Sequence, residues 1–146
     1  MRTTHLLPFI GVILAMVTLT AQAPGIRPIA SVRQLHDAMI TPASDAIFSA
    51  ASEPPTTDAG WTAVRNHAVV LAESGNLLMV PGRAKDKGDW MKFSAAMAEA
   101  AARALRGAEA RAPEALLKAS DDVAAICEAC HEPYRDGGRK MGPPPK

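Results

Sequence analysis

Cys127-Glu128-Ala129-Cys130-His131 contains both cysteines of this 146-residue chain, with a histidine directly behind the second. On a helix of 3.6 residues per turn, Cys127, Cys130 and His131 stand at i, i+3 and i+4 and share one face. C-x-x-C-H is the spacing through which c-type haem is attached. Two thiols one turn apart can form thioethers with the two vinyl groups on one edge of a porphyrin. The imidazole carried on the same turn can then reach the iron as proximal ligand. The pattern therefore predicts one haem c per chain, held covalently by Cys127 and Cys130, with His131 as an axial iron ligand.

Two other chemistries use the same letters. A redox C-x-x-C pair usually opens a helix after a strand, where the helix N-terminus lowers a thiol pKa. Here the motif falls late in a helical stretch with no βαβ pattern upstream. A structural zinc site takes four Cys or His ligands, for which two cysteines and scattered histidines are a poor supply. A chance occurrence of five residues is the third alternative. An exported helical chain with no other cysteine favours haem.

The export signal is read at residues 1–23. Arg2 gives a positive start, 6–19 is an uncharged and largely apolar run, and Ala21-Gln22-Ala23 resembles a small-x-small cleavage site. Pro24 would then be the first mature residue, a poor position for cleavage. Retention as an anchor is the alternative, because 6–23 is just long enough to span a bilayer. Cleavage is the preferred reading, and it places the protein in the periplasm, outside the cytoplasm where c-type haem is attached. Removing Arg2 leaves 15 Lys and Arg against 15 Asp and Glu. That balance gives no reason to expect a nucleic-acid partner, or a membrane partner beyond an uncleaved signal. Aromatic residues are few (4%) and alanine is plentiful, which suits helices packed closely or around a large prosthetic group.

Four helical stretches are legible in the mature chain. The first covers 31–51, with Ser31 as N-cap and Val32, Leu35, His36, Met39, Ala43, Ala46 and Ile47 at helical spacing. Pro42 should kink it or start a new helix. The second covers 58–79, capped by Thr57 or Asp58. Its apolar stripe is Trp61, Val64, Ala68, Leu71, Gly75 and Leu78. The third starts at Asp89 and places Trp90, Phe93, Met97, Ala101, Ala104 and Ala108 on one face. The fourth begins near Pro113 and runs through Leu116, Val123 and Ile126 into the haem motif, where Pro133 should kink or fray it. Residues 137–146 read as a disordered Gly/Pro-rich tail. The expected fold is all-α: an antiparallel up-down four-helix bundle over 24–136 with a C-terminal haem-attachment helix.

This layout resembles cytochrome c′, the class II c-type cytochromes, across 31–136. The specific part is the Cys127–His131 motif near the end of the last helix, followed by Tyr134-Arg135. Val32-Arg33-Gln34-Leu35, Pro42-Ala43-Ser44-Asp45 and Asn76-Leu77-Leu78-Met79 with Pro81-Gly82-Arg83 look like a bacterial subgroup of c′-like cytochromes. The resemblance implies that the first helix supplies the residue facing the iron on the distal side. That residue is a methionine in low-spin, electron-transferring members and an apolar one in five-coordinate, gas-binding members. This chain departs from the subgroup by carrying His36 where a methionine is expected, and it offers Met39 three residues later. Either His36 or Met39 is the candidate distal ligand, with the preference on the stronger nitrogen donor. Met79, Met91 and Met97 are read as packing, and His67 as a surface or flanking residue. Arg33 and Arg83 are candidate partners for the haem propionates, while Asp121 and Asp122 read as a solvated pair.

The expected function is that of a periplasmic electron carrier with redox proteins as partners. Homodimerisation through the first two helices is implied by the resemblance and permitted by the stripe on the second. A five-coordinate NO- or CO-binding haem protein is the alternative, and a haem-free helical interaction module is the third class. No nucleophile–base set or paired carboxylates point to an enzyme.

Overall fold

The computed structural model describes residues 25–135. The signal at 1–23 and the tail at 137–146 lie outside the described residues. Four helices make up the described residues. Helix α1 is continuous through three segments, Val32–Leu35, a π-helical turn His36–Ile40, and Thr41–Ser52. Helix α2 is Asp58–Leu78, α3 is Asp89–Glu109 and α4 is Pro113–Tyr134. Among the described residues there is no strand.

The helix starts follow local chemistry. Ser31 and Gln34 form a reciprocal capping box: the Ser31 hydroxyl accepts from the Gln34 N–H, and Gln34 Oε1 accepts from the Ser31 N–H. Thr57 caps α2 by accepting from the Gly60 N–H at 3.1 Å. Asp86 does the same for α3, accepting from the N–H groups of Gly88 and Trp90. Pro113 occupies the first turn of α4, where its missing N–H costs nothing.

Pro42 stands in the first turn of the α-helical segment Thr41–Ser52, as one of the two expected outcomes had it, but the chain stays helical across the junction. The chain passes through it behind the π turn, in which the Thr41 N–H reaches back five residues to the His36 carbonyl. Pro133 also stands inside its helix, which runs one residue further to Tyr134, and the Arg135 N–H still bonds the His131 carbonyl.

One core joins the four helices. Every residue of the α2 stripe expected to be apolar-facing is buried, and Ser74 joins it by donating to the Val70 carbonyl at 2.7 Å. Helix α3 packs between α2 and α4 and buries Ala100, Ala101 and Ala104 completely. Small residues allow this closeness. A Cβ on Gly75 of α2 would stand 2.7 Å from the Ser94 carbonyl oxygen of α3. Met97 is buried, Met91 is half-buried against the core and Met79 is the half-buried cap of α2. Phe93 is half-buried. Asp122 is not part of a solvated acidic pair, since Arg103 holds it at 2.9 Å across the α3–α4 contact.

Candidate functional site

Helix α4 brings the Cys127–His131 motif to the end of the molecule where α1 and α3 begin. There a cavity of about 570 Å³ opens, lined by Val32, Arg33, His36 and Asp37 from α1, Leu78 of α2, Lys85, Trp90 at the start of α3, and Cys130, His131, Tyr134 and Arg135 from the end of α4. The volume lies within the ordinary range of cofactor sites.

Two histidines meet in this cavity. The His36 and His131 rings have centroids 5.7 Å apart and planes inclined at 49°. Imidazoles holding one metal from opposite sides, each with its nitrogen about 2 Å from the ion, stand with ring centroids roughly 6 Å apart. The pair therefore fits a bis-histidine iron site. His36 is half-buried. Burial, followed by the neighbouring His131, holds its pKa below the usual histidine value, against the opposing pull of Asp37. A neutral imidazole is the form that binds a metal.

Met39 is not in the cavity; it is half-buried against the hydrophobic core. An ordinary helix would put residues three apart on nearly one face. The π turn takes more residues per revolution, so Met39 does not return to the His36 side.

Cys130 lines the cavity beside His131, and Cys127, one turn earlier, is half-buried against the edge of the core. Burial raises both thiol pKa values, and the proximity of Cys130 raises that of Cys127 further. Both sit near the C-terminal end of α4, where the helix dipole opposes a thiolate. A redox-active pair needs the opposite, a lowered pKa at a helix start. The two cysteines and His131 thus suit covalent attachment and ligation better than thiol exchange.

The predicted propionate partners separate. Arg33 is at the cavity, largely exposed and paired with Asp37 at 3.3 Å. Arg83 is buried, and its guanidinium donates to the backbone carbonyls of Ala30 (3.0 and 3.1 Å) and Leu77. It ties the entry segment to the end of α2. Lys85 and Arg135 are the cations that sequence reasoning did not assign to the cavity. Arg135 Nη1 lies 3.1 Å from His131 Nδ1; a guanidinium can only donate, so this contact belongs to the metal-free imidazole and would give way once Nε2 took a metal and Nδ1 carried the proton. The i, i+4 spacing of these two residues is the signal that could have found the contact.

His67 is half-buried at a separate groove between α1 and α2, in line with a flanking position. Comparison with protein-family models, with curated proteins and with solved structures finds no match for this chain.

Proposed function

We propose that this protein is a periplasmic c-type cytochrome that transfers single electrons through one covalently held haem, within an antiparallel up-down bundle of the cytochrome c′ kind. The observation that carries the reading is the meeting of His36 and His131, with ring centroids 5.7 Å apart, in a cavity that also takes in Cys130. Cys127 and Cys130 would hold the macrocycle, and His131 and His36 would ligate its iron. Bound there, a haem iron supplies a one-electron ferric–ferrous couple. His36 and His131 stand within one packed cavity, so the ligand set is largely in place before an electron arrives and little reorganisation follows. Two nitrogen ligands would also set a lower reduction potential than a methionine in place of His36. Arg33, Lys85 and Arg135 surround the cavity with positive charge suited to propionate carboxylates. Redox proteins are the proposed partners, with homodimerisation through α1 and α2 as the proposed assembly.

The test is expression of the full chain with cytochrome maturation machinery. Oxidised, reduced and CO-exposed spectra are then compared for wild type, His36→Ala and Met39→Ala. The expected result is a low-spin wild type in both oxidation states with no fast CO adduct. His36→Ala turns high-spin and takes up CO, while Met39→Ala matches wild type. A high-spin wild type that binds CO or NO readily replaces electron transfer with gas binding. A chain that matures without covalent haem leaves only the helical interaction module.

A further inference from the structure

Leu35 and Ile40 are both in the core, at 5% and 3% exposure, although they are five residues apart. On an unbroken α-helix, five residues turn the chain so that such a pair points roughly 140° apart. Only one of the two could then face the core. Between them lies the π turn His36–Ile40, which adds one residue to the revolution and brings both onto the same side. Beyond it the core-facing set Ala43, Ser44, Ile47 and Ala50 resumes the ordinary spacing.

The residue that makes an α-helical turn costly stands directly behind. Pro42 has no N–H to give the Ala38 carbonyl, and in an α-helix its ring would press on that same carbonyl. Widening the preceding turn removes this conflict, and π turns of this kind concentrate at functional sites.

We infer that the π turn is a one-residue insertion that accommodates Pro42 and sets the register in which His36, and not Asp37, faces His131. The alternative register is found by counting back from Ile40. Straightened to an α-helix with all residues kept, α1 would shift its first turn by one position. His36 would take the place of Leu35 in the core, and Asp37 would stand across from His131. Pro42 and the spare residue of the turn therefore compensate each other, and removing both together leaves His36 opposite His131. The functional part of this inference rests on the haem reading proposed above, while the register itself does not.

Ala38 is exposed and lies inside the turn, so it is the residue to remove. Deleting Ala38 together with Pro42→Ala leaves a plain α-helix with Leu35 and Ile40 still in phase and His36 still next to Leu35. The double variant should unfold within about 5 °C of wild type and keep the same low-spin haem spectrum. Deleting Ala38 alone should be markedly less stable than the double variant, because Pro42 then sits in the middle of a straight helix. The control is deletion of exposed Val69 within α2, where no spare residue exists and half the helix must leave the core. The inference is overturned if the double variant loses as much stability as the Val69 deletion. It is equally overturned if the double variant folds but turns high-spin while wild type is low-spin. Should His36→Ala leave the wild-type spectrum unchanged, the proposed function has failed separately. The stability comparison then decides the register alone.

Discussion

Tyr134, the last residue of α4, donates its hydroxyl to Oδ2 of Asp86, whose Oδ1 caps the start of α3. The Tyr134 ring also stands edge-on to Trp90, with centroids 5.0 Å apart. One carboxylate therefore fastens the end of the helix carrying Cys127, Cys130 and His131 to the beginning of its neighbour.

This bond makes the phenol titrate late. Asp86 pushes the Tyr134 pKa up to about 12, and the same hydrogen bond is the main cause holding the Asp86 carboxyl below its usual range. A raised phenol pKa contributes stability that is complete below about pH 10. That contribution is lost as pH rises through the folded value. The Asp86 contribution runs the other way, being present above the usual carboxylate range and lost as pH falls. Tyr134 is the only tyrosine in the chain, so phenolate absorbance reports it directly. Wild type should titrate near 12 and Asp86→Asn markedly lower; equal midpoints would refute the bond.

Arg83→Ala should be among the most damaging substitutions away from the cavity. It removes charge-assisted hydrogen bonds to two part-buried backbone carbonyls, and the Ala30 carbonyl loses both of its bonds to the guanidinium while that of Leu77 keeps a backbone donor. The expected loss is about 2–4 kcal/mol, read by denaturant unfolding. Arg83→Lys should recover only part, since an ammonium cannot reproduce the planar fork that spans Ala30 and Leu77.

Arg111→Gly should stabilise the fold. Arg111 follows α3 with φ of 50°, in the left-handed region. Its N–H bonds the Ala108 carbonyl and the Ala112 N–H bonds that of Gly107, the pattern of a Schellman cap that favours glycine. The gain is about 1 kcal/mol. The exposed Arg111–Asp58 ion pair that would be lost contributes little against it. Thermal unfolding should move up by a few degrees.

Gly75→Ala tests the close approach of α2 and α3. The new Cβ meets the Ser94 carbonyl and Ala98 Cβ, at 2.7 and 2.8 Å. Overpacking of this kind costs about 1–3 kcal/mol, more than the helix propensity that alanine adds. A lowered unfolding midpoint is expected despite that propensity gain.

The α2 stripe from Trp61 to Leu78 is legible in the sequence because each step of three or four letters is apolar or small, and nothing in the tertiary structure overrides the period. Ser31, Thr57 and Pro113 are legible as helix starts because capping is a local interaction. The π turn is not. Its only trace is that Leu35 and Ile40 share the core, and a period of 3.6 hides that pairing. Arg83 misleads for a related reason. Its carbonyl partner at Ala30 lies 53 residues away, and backbone acceptors leave no mark in the letters. The meeting of His36 with His131 depends on the same unseen turn, so the sequence offers His36 and Met39 without separating them.

The position of Trp90 gives the cavity its own optical signal. The indole N–H is fixed to the Leu78 carbonyl at 2.9 Å and the ring forms part of the wall, so its emission dipole has a defined orientation. A haem in that cavity absorbs where indole emits and would drain the excited state of Trp90 by energy transfer. Only Trp61 remains as a second emitter. In a Trp61→Phe chain, fluorescence becomes a direct gauge of how much of a preparation carries its prosthetic group. Chains that never received the group would then be seen by the light that the wall of their cavity still emits.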